Sequence, residues 1–368
     1  MVVGLVTTSY PRWPGDPAGG FVAGHAAYLR STGATVEIVA ADDPAVDRAW
    51  DRAQGVTRVA APPGLFFAGG APEAIAGGAR AAAARFAARL ALAVAARARR
   101  WDAVAAHWLA PSALAALPSR GPLLAIGHGG DVHLLARARL LAPTLALLAA
   151  RRARLAFVAA PLASVAARAF APAADALLQP MGVDDAAAAA IAQARADRAP
   201  TGTVAILARL VSIKGVDVAI AALTRAPSVR LIVGGDGPAR EALAAQAHAL
   251  GVADRVELRG WLDAGARDRL LAEVDAVCLP SRPLPDGRAE GTPLAALEAL
   301  AAGVPVVASA TGGLADLARL GVHLVPPDAP DALAAALFRA SATRPAPRPE
   351  LGWAVVGRRF DEHWGRVA

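Results

Sequence analysis

A chain of 368 residues is too long for one ordinary hydrophobic core and is read as two domains, each large enough to bury an interior. Its single cysteine, Cys278, lies in the apolar run Ala276-Val277-Cys278-Leu279, which excludes an internal disulfide and argues against a cysteine-based metal cluster. The net charge of +7 points to phosphate-bearing partners or to a merely solvated basic face; without the aromatic-plus-basic clusters of single-strand binders, no nucleic-acid partner is expected.

From the N-terminus, Met1-Val2-Val3-Gly4-Leu5-Val6 runs directly into a strand-like pattern with no basic opening or small-residue cleavage site, so the cytoplasm is the expected location. No run of about 18 or more strongly apolar, uncharged residues follows, as a spanning helix would need. Short Val/Ile/Leu runs then alternate with Ala-rich helical stretches, the pattern of parallel strands joined by crossover helices. Strands are expected at 2–7, 36–40, 103–106, 123–126 and 155–159. The arginine-bearing helical stretches 79–100 and 137–154 offer a basic face, for anionic lipid as a peripheral contact or for water alone.

Around Pro180-Met181-Gly182-Val183-Asp184 the alternation stops, and a polar, Ala-rich connection leads to residue 200. It restarts with strands expected at 204–207, 229–233, 256–258, 276–279 and 304–308. The expected organisation is α/β, with domains at 1–180 and 181–345 and a C-terminal helix at 346–368 after the Pro-rich stretch 344–349, packing back on the first domain. A nicotinamide site is disfavoured, because Gly235-Asp236-Gly237-Pro238-Ala239-Arg240 ends in Arg where the dinucleotide fingerprint requires Gly or Ala.

In open α/β sheets ligands bind beyond the carboxyl ends of strands, so the residues after each apolar run are the ones to inspect. Arg209 and, five residues on, Lys214 follow the strand at 204–207; two cations there suit a diphosphate, or else stand solvated on a loop. Glu290-Gly291-Thr292-Pro293-Leu294-Ala295-Ala296-Leu297-Glu298 sets two carboxylates eight residues apart across a helix start, with Thr292 expected to cap and Pro293 to occupy the first turn. Glu298, surrounded by Leu and Ala, needs partners once buried. Ribose hydroxyls are one such set and a strand-end Arg is the other. The helix start itself offers free N–H groups and a positive dipole end to a phosphate.

Taken in order, the run from Arg209 to Lys214, the turn Val233-Gly234-Gly235-Asp236-Gly237-Pro238 and the Glu290-to-Glu298 element resemble the GT-B glycosyltransferases of family GT4, whose E-x7-E spacing they share. Gln179-Pro180-Met181-Gly182-Val183-Asp184, Ala302-Gly303-Val304-Pro305-Val306-Val307 and Gly312-Gly313 also resemble that family. So do His128-Gly129-Gly130-Asp131-Val132, His107-Trp108-Leu109 and Gly19-Gly20 in the first half.

The resemblance implies a GT-B fold, two Rossmann-like parallel-sheet domains facing across a cleft. It further implies a retaining, metal-independent transfer from a nucleotide-diphosphate sugar, a co-substrate rather than a cofactor, to an acceptor that is a glycan, a lipid-linked sugar or a small molecule. It assigns catalysis to Glu290, His128, Arg209 and Lys214, with Glu290 near the donor sugar and His128 facing that sugar from the other domain. Donor binding falls to Gly19, Gly20, Arg209, Lys214, Gly235, Trp261, Leu262, Gly291, Thr292, Pro293, Leu294 and Glu298, the last on the ribose. Two features depart from the family: Thr292-Pro293 stands where a bulky residue often follows Glu-Gly, and the loop 281–289 is long and polar. A nucleotide-sugar epimerase on the same fold and a non-catalytic nucleotide-sugar binder are the alternatives.

Overall fold

The computed structural model describes residues 1–62, 65–67, 78–285 and 289–366. The chain divides into two compact units, Met1–Gly182 with Trp353–Ala368, and Val183–Gly352.

In the first unit seven strands, β1 (Val2–Val6), β2 (Thr35–Ala41), β3 (Val56–Val59), β4 (Ala103–His107), β5 (Leu123–Gly127), β6 (Arg154–Phe157) and β7 (Leu177–Leu178), form one parallel sheet in the order β3-β2-β1-β4-β5-β6-β7. The central strands are apolar apart from His107 at the end of β4, because helices cover both faces; Val104, Ala105, Leu124 and Ala125 are all fully buried. Register is fixed on both sides of β1, with Val3 opposite Val36 and Ala103. Gly4 is required at its place in β1, because a Cβ there would come within 2.3 Å of the Trp101 ring.

The C-terminal helix Trp353–Trp364 belongs to this unit and buries Trp353, Val356, Phe360 and Trp364 on one face. Glycines let it approach: a Cβ on Gly24 would strike Trp353 at 2.1 Å, and one on Gly357 would strike Tyr28 at 2.4 Å. Across this contact Tyr28 donates to Asp361 at 2.7 Å, and Arg366 pairs with the same carboxylate at 2.5 Å. Fully burying side chains of this size is worth roughly 1.5–3 kcal/mol each, which holds the helix far more firmly than its own propensity would.

The second unit repeats the plan. Strands β8 (Thr203–Leu207), β9 (Arg230–Gly234), β10 (Val256–Gly260), β11 (Ala276–Leu279), β12 (Val306–Ser309) and β13 (His323–Val325) form a parallel sheet in the order β10-β9-β8-β11-β12-β13. Cys278 is buried in β11, where burial pushes its thiol pKa up and leaves it a core residue. In each sheet the strand order reverses beside the first strand of the unit, at β1/β4 and at β8/β11. That reversal opens a crevice at the carboxyl ends of the strands.

The unit boundaries differ from the expected 180/181 and 345/346. Met181 is buried in the first unit's core, and Gly182 lies so close to Trp353 that a Cβ would meet the ring at 2.6 Å. Residues 346–352 stay with the second unit, because Arg348 N–H donates to Ala301 at 3.1 Å and Val183 N–H donates to Leu351 at 3.0 Å. Three short strands, β3, β7 and β13, escaped the sequence reading; at two to four residues each they carry too little apolar pattern to stand out. Strand β12 starts at Val306 rather than 304, because Val304 N–H is spent on the Ala299 carbonyl at the preceding helix end.

Candidate functional site

The reversal between β8 and β11 brings together the connections that follow those two strands. The β8 connection ends in a short 3-10 turn, Ser212–Lys214, and in Gly215 with φ +62°. A Cβ on Gly215 would sit 1.9 Å from the carbonyl of Pro280, directly after β11, so only glycine permits this crossing. Arg282 N–H then donates to the Ile213 carbonyl at 3.0 Å, tying the two connections together.

At this junction Lys214 Nζ pairs with Glu290 Oε2, and Ser281 Oγ donates to the same oxygen at 3.3 Å. The Glu290 carbonyl accepts Gly313 N–H at 2.8 Å, which fixes the backbone that carries the carboxylate. Both side chains are partly buried, at 21% and 14% exposure, so the pair sits at the edge of water rather than in it. Lys214 is the only lysine in the chain; every other Lys-or-Arg position is Arg. A compact ammonium therefore occupies the one place where a small point charge, rather than a planar fork, is set against a carboxylate. Arg209, on the same connection, is exposed and makes no ion pair among the described residues.

Glu298 is placed elsewhere. It lies inside the helix Leu294–Ala301, and its Oε1 is 3.0 Å from Arg267 of the helix Ala264–Glu273. Its Oε2 is buried without a partner among the described residues, as is Arg267 Nε. Burial raises the Glu298 pKa, with Arg267 opposing that shift and the charges of Asp268 and Asp184 adding to it. Of the two partner sets the sequence left open, ribose hydroxyls or a strand-end Arg, an arginine is present but on a helix, and it satisfies only one of the two oxygens.

The helix start also differs from the sequence expectation. Pro293, not Thr292, is the residue flanking the first turn, and its carbonyl already accepts Ala296 N–H at 3.1 Å. Proline therefore removes none of the turn's own donors, because it stands outside the helix.

The candidate glycines separate into two kinds. Gly235, with φ +147°, lies against the Ala208 carbonyl at 1.8 Å from where a Cβ would be, and Gly19, with φ +73°, lies at 2.5 Å from the Ser9 carbonyl. Both are demanded by the chain's own crossing. Around Gly20 and Gly291, in contrast, a Cβ would meet nothing within 4 Å. Leu262 packs on the sheet at Gly234, whereas Trp261 is 57% exposed. Of the loop 281–289, residues 286–288 lie outside the described residues, so its expected role in shaping a pocket rests on the remainder alone.

In the first unit, His128 follows β5 directly, in a turn pinned by Asp131. That carboxylate accepts the N–H groups of Leu109 at 2.7 Å, Gly129 at 3.0 Å and His128 at 3.1 Å. Burial raises the Asp131 pKa against these donors. His128 Nε2 lies 3.0 Å from His107 Nδ1, and His107 Nε2 lies 3.0 Å from His25 Nδ1. His25, on the helix Gly20–Ser31, stacks on Trp353 at 5.1 Å between ring centroids.

Sequence reasoning missed His25 and Arg267, and had Ser281 only as the first residue of the polar loop 281–289. None sits in a motif, and only the tertiary crossings bring them to His107, Glu298 and Glu290. Among the described residues, no three His, Cys, Asp or Glu side chains gather as metal ligands, and no single helix is long and apolar enough to cross a membrane.

The solved structure of Anabaena Alr3699/HepE in complex with UDP matches with a TM-score of 0.69 over 100% of both chains at 19% identity. The lipopolysaccharide outer core galactosyltransferase WaaB matches at 0.67 over 99% of each chain at 16% identity. The fold is that of the GT-B glycosyltransferases, two Rossmann-like units of parallel sheet.

Residues 192–348 match the family described as glycosyl transferases group 1. Over 174 residues it is 39% identical to the GDP-mannose-dependent alpha-(1-6)-phosphatidylinositol monomannoside mannosyltransferase of Mycobacterium tuberculosis, covering 43% of this chain and 44% of that protein. Over 125 residues it is 37% identical to the D-inositol 3-phosphate glycosyltransferase of Mycobacterium marinum, covering 32% of this chain and 25% of that one. The chain thus matches less than half the length of these curated relatives.

Proposed function

We propose that the second unit binds a nucleotide-diphosphate sugar at the β8/β11 reversal, and that the chain transfers the sugar to an acceptor with retention and without a divalent metal. The observation that carries this reading is the Lys214–Glu290 pair, formed by the only lysine and held at the carboxyl ends of the strands by the Gly215 crossing. A cation beside a carboxylate supplies what a departing diphosphate and a reacting sugar each need. The ammonium offsets phosphate charge as it grows, and the carboxylate accepts sugar hydroxyls.

Other features fit the same reading. Arg209 is a second cation with no ion-pair partner among the described residues. The helix beginning at Leu294 directs its first N–H groups outward beyond Pro293. Gly291 leaves room for a ligand beside the backbone. Glu298 keeps one oxygen without a partner for a ribose hydroxyl. His128 is the residue that the reading assigns to the donor sugar from the first unit. In a front-face transfer the leaving diphosphate helps take the acceptor proton, so no protein nucleophile is required, and the side chains act by binding charge that develops in the transition state.

The test is a screen of UDP-, GDP- and ADP-sugars for donor turnover in EDTA, with and without candidate acceptors. One donor consumed in EDTA, with anomeric configuration kept in the product, is the expected result. Strict dependence on added manganese overturns the metal-independent reading. Interconversion of the donor sugar without transfer identifies an epimerase instead.

A further inference from the structure

The three histidines of the first unit form one chain whose direction is determined by its ends. A neutral imidazole donates from one nitrogen and accepts at the other. His107 is bonded through both of its nitrogens, at 3.0 Å each, so if it is neutral the donor direction through it is continuous. Neutrality follows from burial: His25 and His107 are fully buried, and burial holds the pKa of His25 at about 3, that of His107 well below its ordinary value and that of His128 at about 3. Only two arrangements of protons remain.

In one arrangement, protons point from His128 toward His25. His25 Nε2 then carries an N–H, but that nitrogen is fully buried and meets no hydrogen-bonding group among the described residues. In the other, His25 donates from Nδ1 to His107, His107 donates from Nδ1 to His128, and His25 Nε2 is left with a lone pair only. Orphaned buried N–H groups are the rarer and costlier defect.

We infer that His25 and His107 are positioning residues that hold His128 as the neutral Nδ1–H tautomer, so that its outer nitrogen is a fixed hydrogen-bond donor. His128 is partly exposed, and its Nδ1 makes no hydrogen bond among the described residues, so this donor is free to meet a ligand oxygen. The value of that donor to the reaction rests on the assignment of His128 to the donor sugar, and there it serves to bind a hydroxyl oxygen. It does not act as a base, because the nitrogen presented already carries its proton. The C-terminal helix enters the device through Trp353, whose ring stacks parallel to His25 with an interplanar angle of 8° and holds it in place.

Nitrogen NMR of histidine-labelled whole protein tests this directly, since protonated and bare ring nitrogens resonate far apart. Signals are assigned by comparison with His128→Gln. The expected spectrum shows His25, His107 and His128 all protonated at Nδ1. A His128 protonated at Nε2 overturns the inference. In His25→Phe, which keeps a flat ring against Trp353, the lock is removed, and His128 becomes a mixture of tautomers with kcat lowered about tenfold, as for other residues that orient a functional side chain. Persistence of the single Nδ1–H form in that variant also overturns it. The wild-type spectrum decides the matter even if the variant does not fold. Because the readout is the ring nitrogens, failure of the sugar-transfer reading and failure of the histidine chain are separate results.

Discussion

The two units share one strand order and equip it differently. At the β8/β11 reversal the second unit presents a charged pair, Lys214 and Glu290, with Ser281 donating to the carboxylate. At the corresponding β1/β4 reversal the first unit presents His107, which continues into His128 and His25, all three kept neutral by burial. The same backbone plan thus positions two crevices, one carrying a charged pair and the other a row of imidazoles. A diphosphate requires the first kind of surface and a sugar hydroxyl is content with the second.

The sharpest way to break this contrast is Lys214→Ala. It removes the cation from the charged crevice and is expected to lower kcat on the order of 10²-fold or more, as loss of a transition-state donor does. Steady-state kinetics on the donor found by screening would show it. Turnover close to that of the parent would remove Lys214 from the chemistry.

The neutral crevice is tested by stability against pH. His25 and His128 have folded pKa values lowered to about 3, whereas the unfolded chain takes up protons on histidine near pH 6.5. Between those limits the unfolded state binds more protons, so stability is fully present above about pH 6.5 and falls as pH decreases toward 3. Urea unfolding at pH 7 and pH 5 should show the loss, with a shallower slope in His25→Phe. Identical slopes in the two proteins would mean that His25 is not held neutral.

The smallest expected effects separate the glycines. Gly235→Ala places a Cβ against the Ala208 carbonyl at a φ of +147° and is expected to cost about 1–3 kcal/mol. Gly291→Ala has open space and should leave Tm nearly unchanged, altering only the KM for donor. Equal losses of Tm in both would show that Gly291 is a structural glycine like Gly235.

Much of the second unit was legible beforehand. The alternation of apolar runs and Ala-rich stretches marks parallel strands and crossover helices because both faces of such a sheet are buried, and that pattern is local. Lys214 and Glu290 could be singled out from their positions after a strand and before a helix. Their pairing could not, since they are 76 residues apart and meet only because β8 and β11 are neighbours. Glu298 shows the same limit: a lone carboxylate among leucines must find a partner, but nothing near it in the chain names Arg267.

What the sequence alone determined is therefore the alphabet of elements and the identity of the scarce chemical groups, one lysine among arginines and two carboxylates spaced across a helix start. Tertiary structure decided which of these groups meet, where the chain passes between its units, and that a histidine on the first helix governs one after the fifth strand. The physical reason is range. Periodicity and turn chemistry act over a few residues, whereas ion pairs, buried hydrogen bonds and the glycine crossings that permit them join positions whose separation along the chain carries no signal of their contact.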